Sequence, residues 1–103
     1  MLKSGQVVLT RVQYTDTFEI KKRPALILFE DFDNIVVAGI TSNLKMEGIL
    51  LTKKEGAIKD SVIKLNYIFT VSEMMIEKVL FSLSKEKKKM VFDGIVERLK
   101  ELK

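Results

Sequence analysis

The residue best equipped for chemistry in this chain is Arg23, within Lys21-Lys22-Arg23-Pro24-Ala25-Leu26-Ile27-Leu28. A second run, Ile40-Thr41-Ser42, follows one hairpin later. Arginine is scarce: of 18 basic residues only Arg11, Arg23 and Arg98 are arginines. A guanidinium carries a planar fork of donors that suits phosphate, and it stays charged at any working pH. Pro24, the only proline in the chain, fixes its own φ and biases Arg23 toward an extended backbone. An arginine held at the mouth of a rigid apolar strand is a candidate anion clamp. The plainer reading of the same residues is a solvated basic loop before a strand-initiating proline.

The elements around these residues are short and β-rich. Gln6 to Val12 is β-branched and apolar, and reads as a first strand. The polar stretch Gln13 to Lys22 reads as a loop. Ala25 to Phe29 reads as a second, buried strand, and Glu30 to Asn34 as a turn rich in Asp and Asn. Ile35 to Thr41 is a third strand, in which Gly39 signals a bulge or a close backbone approach. After a polar loop over Ser42 to Gly48, Ile49 to Thr52 and Ser61 to Leu65 give a fourth and a fifth strand. Val71-Ser72 begins a short helix, with Ser72 as its cap and Val71 and Ile76 as a hydrophobic staple. Ser84 is a second helix cap. Beyond it Val91, Phe92, Ile95, Val96, Leu99 and Leu102 recur at three- and four-residue spacing, the mark of an amphipathic C-terminal helix. Short strands closed by one helix imply a small barrel or curled sheet of about five antiparallel strands.

Composition removes several kinds of chemistry. The 103 residues make one domain. The sequence has no cysteine and no histidine. Disulfides, thiolate nucleophiles and the commonest metal ligand and general base are therefore absent, and neither a metal site nor a cofactor is expected. No glycine-rich phosphate loop is present. Nothing approaches the roughly 18 apolar residues of a membrane span, and the first residues lack the apolar core of a secretory signal. The expectation is a cytoplasmic protein without a membrane role. The formal net charge of +4 favours an anionic partner, nucleic acid among them. The lysines of the run 85–89 read as a solvated helix start. A membrane-surface role for the last helix is opposed by Asp93, Glu97 and Glu101.

Taken in order, these pieces resemble the MazF/PemK family of toxin endoribonucleases over nearly the whole chain. The resemblance begins at Gly5-Gln6-Val7-Val8-Leu9 and Thr15-Asp16, and is sharpest at Lys22-Arg23-Pro24-Ala25-Leu26-Ile27-Leu28. It continues through Val36-Val37-Ala38-Gly39-Ile40-Thr41-Ser42 and Lys59-Asp60-Ser61-Val62-Ile63. It implies an SH3-like small barrel, a homodimer, and metal-independent cleavage of single-stranded RNA at short sequences. It also implies a cognate antitoxin protein, with DNA binding by the joint complex. Arg23 and Thr41 fall on the family's catalytic arginine and threonine. Attack of the RNA 2′-hydroxyl on its phosphate builds negative charge on the phosphoryl oxygens, and a donor preorganised for such charge supplies about 3 kcal/mol. Glu19 and Asp16, in the loop before Arg23, are the candidate bases; the plainer reading of Glu19 is an exposed loop carboxylate, and Asp16 is otherwise a substrate contact or a loop-stabilising side chain. Lys22, Ser42, Lys64 and Tyr67 complete the expected substrate-binding set.

The chain departs from the family pattern in three places. Where many relatives carry an acidic residue and an arginine after the fifth strand, it has Asn66 and Phe69. Where an aromatic-proline pair often follows the first strand, it has Val12-Gln13. Tyr67 and Phe69 could stack on unpaired bases, or pack in a core or dimer interface. The competing reading is a non-catalytic nucleic-acid- or protein-binding module on the same barrel.

Overall fold

The computed structural model describes residues 2–13 and 20–103, with Gln13 described by its backbone alone. Among them the chain forms β1 (Gln6–Gln13), β2 (Ile20–Asp31), β3 (Asn34–Thr41), β4 (Ile49–Leu51), β5 (Ser61–Ser72), β6 (Ile76–Ser82) and α1 (Lys85–Leu99). The strands make one curled antiparallel sheet in the order β4-β5-β3-β2-β1-β6. The expected architecture is borne out, with six strands instead of about five.

Both faces of the central strands are buried, which explains why β1, β2 and β3 read as near-continuous apolar runs. Val7, Leu26, Ala38 and Ile40 face one core, shared with Leu51, Ile63, Leu65, Leu83 and Val91. Their alternates Val8, Ala25, Ile27, Ile35 and Val37 face a second, closed by Val71. Each fully buried Val, Leu or Ile among them contributes roughly 1.5–3 kcal/mol.

Three expectations are corrected. β2 begins at Ile20, so Lys21 and Lys22 belong to a strand, paired with Val12 and Arg11 of β1. The short helix after Ser72 is a single 3-10 turn, Glu73–Met75, capped where the Ser72 hydroxyl accepts from the Met74 N–H at 3.2 Å. A sixth strand follows it. β6 is an edge strand whose pairing with β1 shifts register twice, between Val7 and Val8 and between Leu9 and Thr10. Those shifts break the period-two alternation that marks a strand in sequence.

β5 is longer than its apolar alternation suggests, and Gly39 is the reason. Ile40 pairs with Ile63 and Ala38 with Ile68, so residues 64–67 all stand opposite Gly39. A Cβ on Gly39 would lie 2.5 Å from Cδ2 of Tyr67. The glycine gives the bulge its sequence context implies, and what approaches it closely is an aromatic ring, not a second backbone.

α1 starts where expected: the Ser84 hydroxyl accepts from the Lys87 N–H at 3.1 Å. Its apolar stripe is only partly used. Val91 is buried and Ile95 packs against the same core, whereas Phe92, Val96, Leu99 and Leu102 are exposed. Lys87 is not a solvated residue. Its ammonium donates to the Leu50 carbonyl at 2.7 Å and lies 3.4 Å from Glu55 Oε2. No helix among the described residues is long and apolar enough to cross a membrane.

Candidate active site

The site forms where the sheet splits. The β2–β3 ladder runs from Asp31↔Asn34 up to Ala25↔Gly39 and ends there. Beyond that pair β2 stays with β1, as Pro24↔Leu9, Arg23↔Thr10 and Lys22↔Arg11. β3 instead stays with β5, as Ile40↔Ile63 and Thr41↔Val62. Pro24 sits at the fork and has no N–H to give to a ladder. The parted strand ends border a cavity of about 510 Å³.

Lys22, Arg23, Thr41 and Ser42 all line this cavity. Its apolar surface includes Val7, Leu9, Leu51 and Phe81. Lys59 and Ser61 contribute from the start of β5 and the loop before it. The described lining thus holds three cations and no carboxylate. Fixed positive charge over an apolar floor attracts anions and strengthens every hydrogen bond made to them.

The Thr41 side chain is held by one hydrogen bond among the described residues. Its hydroxyl oxygen accepts from the Asn43 N–H at 3.1 Å, and the hydroxyl hydrogen meets no acceptor among the described residues. Arg23 is exposed, and its Nη1 donates to the Lys22 carbonyl at 3.3 Å. Lys22 leans on Glu77 of β6, whose Oε1 lies 3.8 Å from the ammonium and 3.3 Å from Arg11 Nε. Arg11 is fixed in turn by a bond from Nη2 to the Met74 carbonyl at 3.1 Å.

The remaining expected residues fall elsewhere. Lys64 and Tyr67 do not line the cavity. They lie on the β5 bulge, with the Lys64 ammonium 5.3 Å from the Tyr67 ring centroid and that ring 4.9 Å from Phe69. Tyr67 covers Gly39, two residues from Thr41 on β3. Asp16 and Glu19 lie outside the described residues. Two residues were missed by sequence reasoning. Lys59 depends on how the loop before β5 closes, which no local pattern encodes. Glu77 was hidden with the strand that carries it.

The model of the family described as PemK-like, MazF-like toxin of type II toxin-antitoxin system matches residues 3–99. Among solved structures the chain is similar to a MazE–MazF structure from Deinococcus radiodurans, with 16% identity, 95% of each chain covered and a TM-score of 0.79. It is similar to the Mycobacterium tuberculosis toxin MazF-mt6, with 18% identity, 87% of this chain and 91% of that one covered, and a TM-score of 0.72. A mycobacterial structure described as an endoribonuclease in complex with its cognate antitoxin aligns at 13% identity over 92% of this chain and 88% of that one, with a TM-score of 0.67. No curated protein sequence matches the chain. At these identities the structural likenesses speak for the fold, and the match over residues 3–99 speaks for descent: the chain belongs to the family of PemK-like, MazF-like toxins of type II toxin–antitoxin systems.

Proposed function

We propose that this chain is an endoribonuclease toxin that cuts single-stranded RNA without a metal ion. The observation that carries the reading is the cavity at the β2–β3 fork, lined by Lys22, Arg23, Lys59, Thr41 and Ser42 with no carboxylate among its described lining. In the proposed reaction the RNA 2′-oxygen attacks the adjacent phosphorus and the 5′-oxygen leaves. The products are a 2′,3′-cyclic phosphate and a 5′-hydroxyl end. The Arg23 guanidinium meets the charge growing on the phosphoryl oxygens with paired, charge-assisted bonds. The Thr41 hydroxyl adds a neutral donor, and Lys22 and Ser42 hold the flanking backbone. Glu19 takes the 2′-hydroxyl proton, the departing 5′-oxygen takes a proton from water, and Asp16 serves the substrate or the loop. Lys64 and Tyr67, beside Gly39, offer a cation and an aromatic face for the strand that leaves the cavity.

The partners follow from the same reading: a homodimer in the cytoplasm, a cognate antitoxin protein, and DNA binding by the toxin–antitoxin complex. The homodimer is supported by apolar side chains that one chain leaves in water: Met74 is 83% and Phe92 67% exposed. Phe69 and Met75, by contrast, pack against the second core. The competing reading, a binding module without catalysis, is favoured by Asn66 and Phe69, which stand where many relatives carry an acidic residue and an arginine. Incubation of the purified protein with RNAs of varied sequence in EDTA separates the two. Products with 2′,3′-cyclic phosphate ends support the nuclease. Binding without cleavage supports the module.

A further inference from the structure

The cavity has a wall that the proposed reaction does not use. Residues 52–60, between β4 and β5, are held by several hydrogen bonds and an ion pair. Glu55 Oε1 accepts from the Thr52 N–H at 2.9 Å and from its hydroxyl at 3.0 Å. Asp60 Oδ1 accepts from the Lys53 N–H at 3.0 Å. The Ser61 hydroxyl donates to the Lys59 carbonyl at 2.8 Å. Lys87 braces the loop from α1 through Glu55, with its side chain only 16% exposed.

So secured, the loop presents Ile58 and Lys59 to the cavity that Arg23 and Thr41 border. Ile58 is 78% exposed, whereas Ala57 before it packs against the first core. Lys59 makes no ion pair with any described residue. Lys22, by comparison, shares Glu77 with Arg11. An ammonium without an ion pair among the described residues, next to an exposed aliphatic side chain on a braced loop, matches the two halves of a nucleotide. The phosphate wants a cation, and the base wants an apolar face. The cavity volume lies within the range of small-ligand sites.

We propose that the 57–59 loop is a second backbone-binding element of the RNA site. Lys59 takes a phosphate next to the one held by Arg23, and Ile58 covers the nucleobase between them. The inference rests on the RNA reading of the cavity but not on catalysis.

The test measures binding and cleavage separately. A labelled 2′-O-methyl RNA, which lacks the attacking hydroxyl, is titrated with the full chain across a salt series. Each phosphate contact on a single strand contributes about 0.7 to the slope of log affinity against log salt. Lys59→Gln is expected to lower that slope by about 0.7 and Lys59→Arg to restore it. Ile58→Ser is expected to weaken binding several-fold with the slope unchanged. A Lys59→Gln slope equal to that of the original protein overturns the phosphate contact. Unchanged affinity in Ile58→Ser overturns the base contact. If the original protein does not bind the oligonucleotide, the whole inference falls. Cleavage of ordinary RNA is scored in parallel. Binding with the expected slopes but no cleavage sustains this inference and removes only the nuclease reading.

Discussion

Arg23 and Thr41 each stand two residues beyond the last rung, Ala25↔Gly39, of the β2–β3 ladder, and from there their strands follow different neighbours. The two side chains therefore belong to one cavity while being held by separate ladders, Arg23 by Thr10 of β1 and Thr41 by Val62 of β5. A site built on two parting strands has its backbone fixed on both sides, yet keeps a gap into which a ligand fits. That is the condition for preorganised donors.

Thr41 is expected to matter less than Arg23, because its donor is neutral. Thr41→Ala should cost about tenfold in cleavage rate, roughly 1.4 kcal/mol, while Thr41→Ser, which keeps the hydroxyl, should retain most of the rate. Single-turnover cleavage at saturating protein checks this. A Thr41→Ser rate as low as that of Thr41→Ala would contradict the donor role.

Glu77 is expected to restrain Lys22. Both partners are partly exposed, with side-chain exposures of 32% and 61%, so the pair contributes little to stability. Its effect should appear in anion binding. Glu77→Gln removes a negative charge beside the cavity, and should tighten 2′-O-methyl RNA binding two- to threefold at low salt. The gain should vanish at high salt, where the charges are screened. Fluorescence anisotropy at two salt concentrations measures it.

Gly39 is expected to resist substitution because of Tyr67. Gly39→Ala puts a methyl 2.5 Å from Cδ2 of the Tyr67 ring, and overpacking of this kind costs about 1–3 kcal/mol. Removing the ring as well, in Gly39→Ala/Tyr67→Ala, should recover part of that loss. Urea unfolding of the four proteins of this cycle gives the coupling. Strict additivity would mean that the contact is not responsible.

The loop brace should be visible in the pH dependence of stability. Hydrogen bonding from the Thr52 N–H, which is the largest influence, holds the Glu55 carboxyl below its ordinary value. The Thr52 hydroxyl and the nearby Lys87 ammonium add to the effect, and burial opposes it. A carboxyl lowered in the folded state stabilises the fold above the ordinary carboxylate range, and that stabilisation is lost as pH falls through the lowered value. Glu55→Gln should therefore be less stable than the original protein near neutrality. The gap should close in acid. Thermal melts across pH check the sign, and a gap that widens toward low pH would contradict it.

Much of this architecture was legible in the residues. The strands of Val7-Val8-Leu9, Ala25 to Phe29 and Ile35 to Thr41 are apolar runs that only a two-faced burial accommodates. The caps at Ser72 and Ser84 both form. The parts that were not legible share one cause, which is irregular pairing. β6 escaped because two register shifts spoil its alternation and because Ser72 announces a helix that stops after one turn. The second half of β5 escaped because four residues bulge against Gly39. At the site, Arg23 was readable from its proline and its rarity. Lys59 and Glu77 were not, since both reach the cavity region through tertiary closure. The stripe on α1 over-promised: Phe92 and Leu99 keep the helical period of Val91 and Ile95 but remain in water.

The exposed apolar residues carry their own expectation. Light scattering at micromolar concentration should give about twice the 11.8 kDa of one chain, through burial of surface that includes Phe92 or Met74. Exposed apolar patches of this kind mark association sites. A mass of one chain, unchanged with concentration, would contradict the homodimer.

The most direct test of the central claim is the rate of RNA cleavage by Arg23→Ala with EDTA present. The proposed mechanism predicts that the original protein cuts RNA to 2′,3′-cyclic phosphate ends under these conditions. It predicts that Arg23→Ala loses about 2 to 4 kcal/mol of transition-state stabilisation, or roughly 30- to 1000-fold in rate. Arg23→Lys should recover little of it, because a point charge cannot reproduce the guanidinium fork. Cleavage that requires added metal, or that proceeds unchanged in Arg23→Ala, would contradict the mechanism.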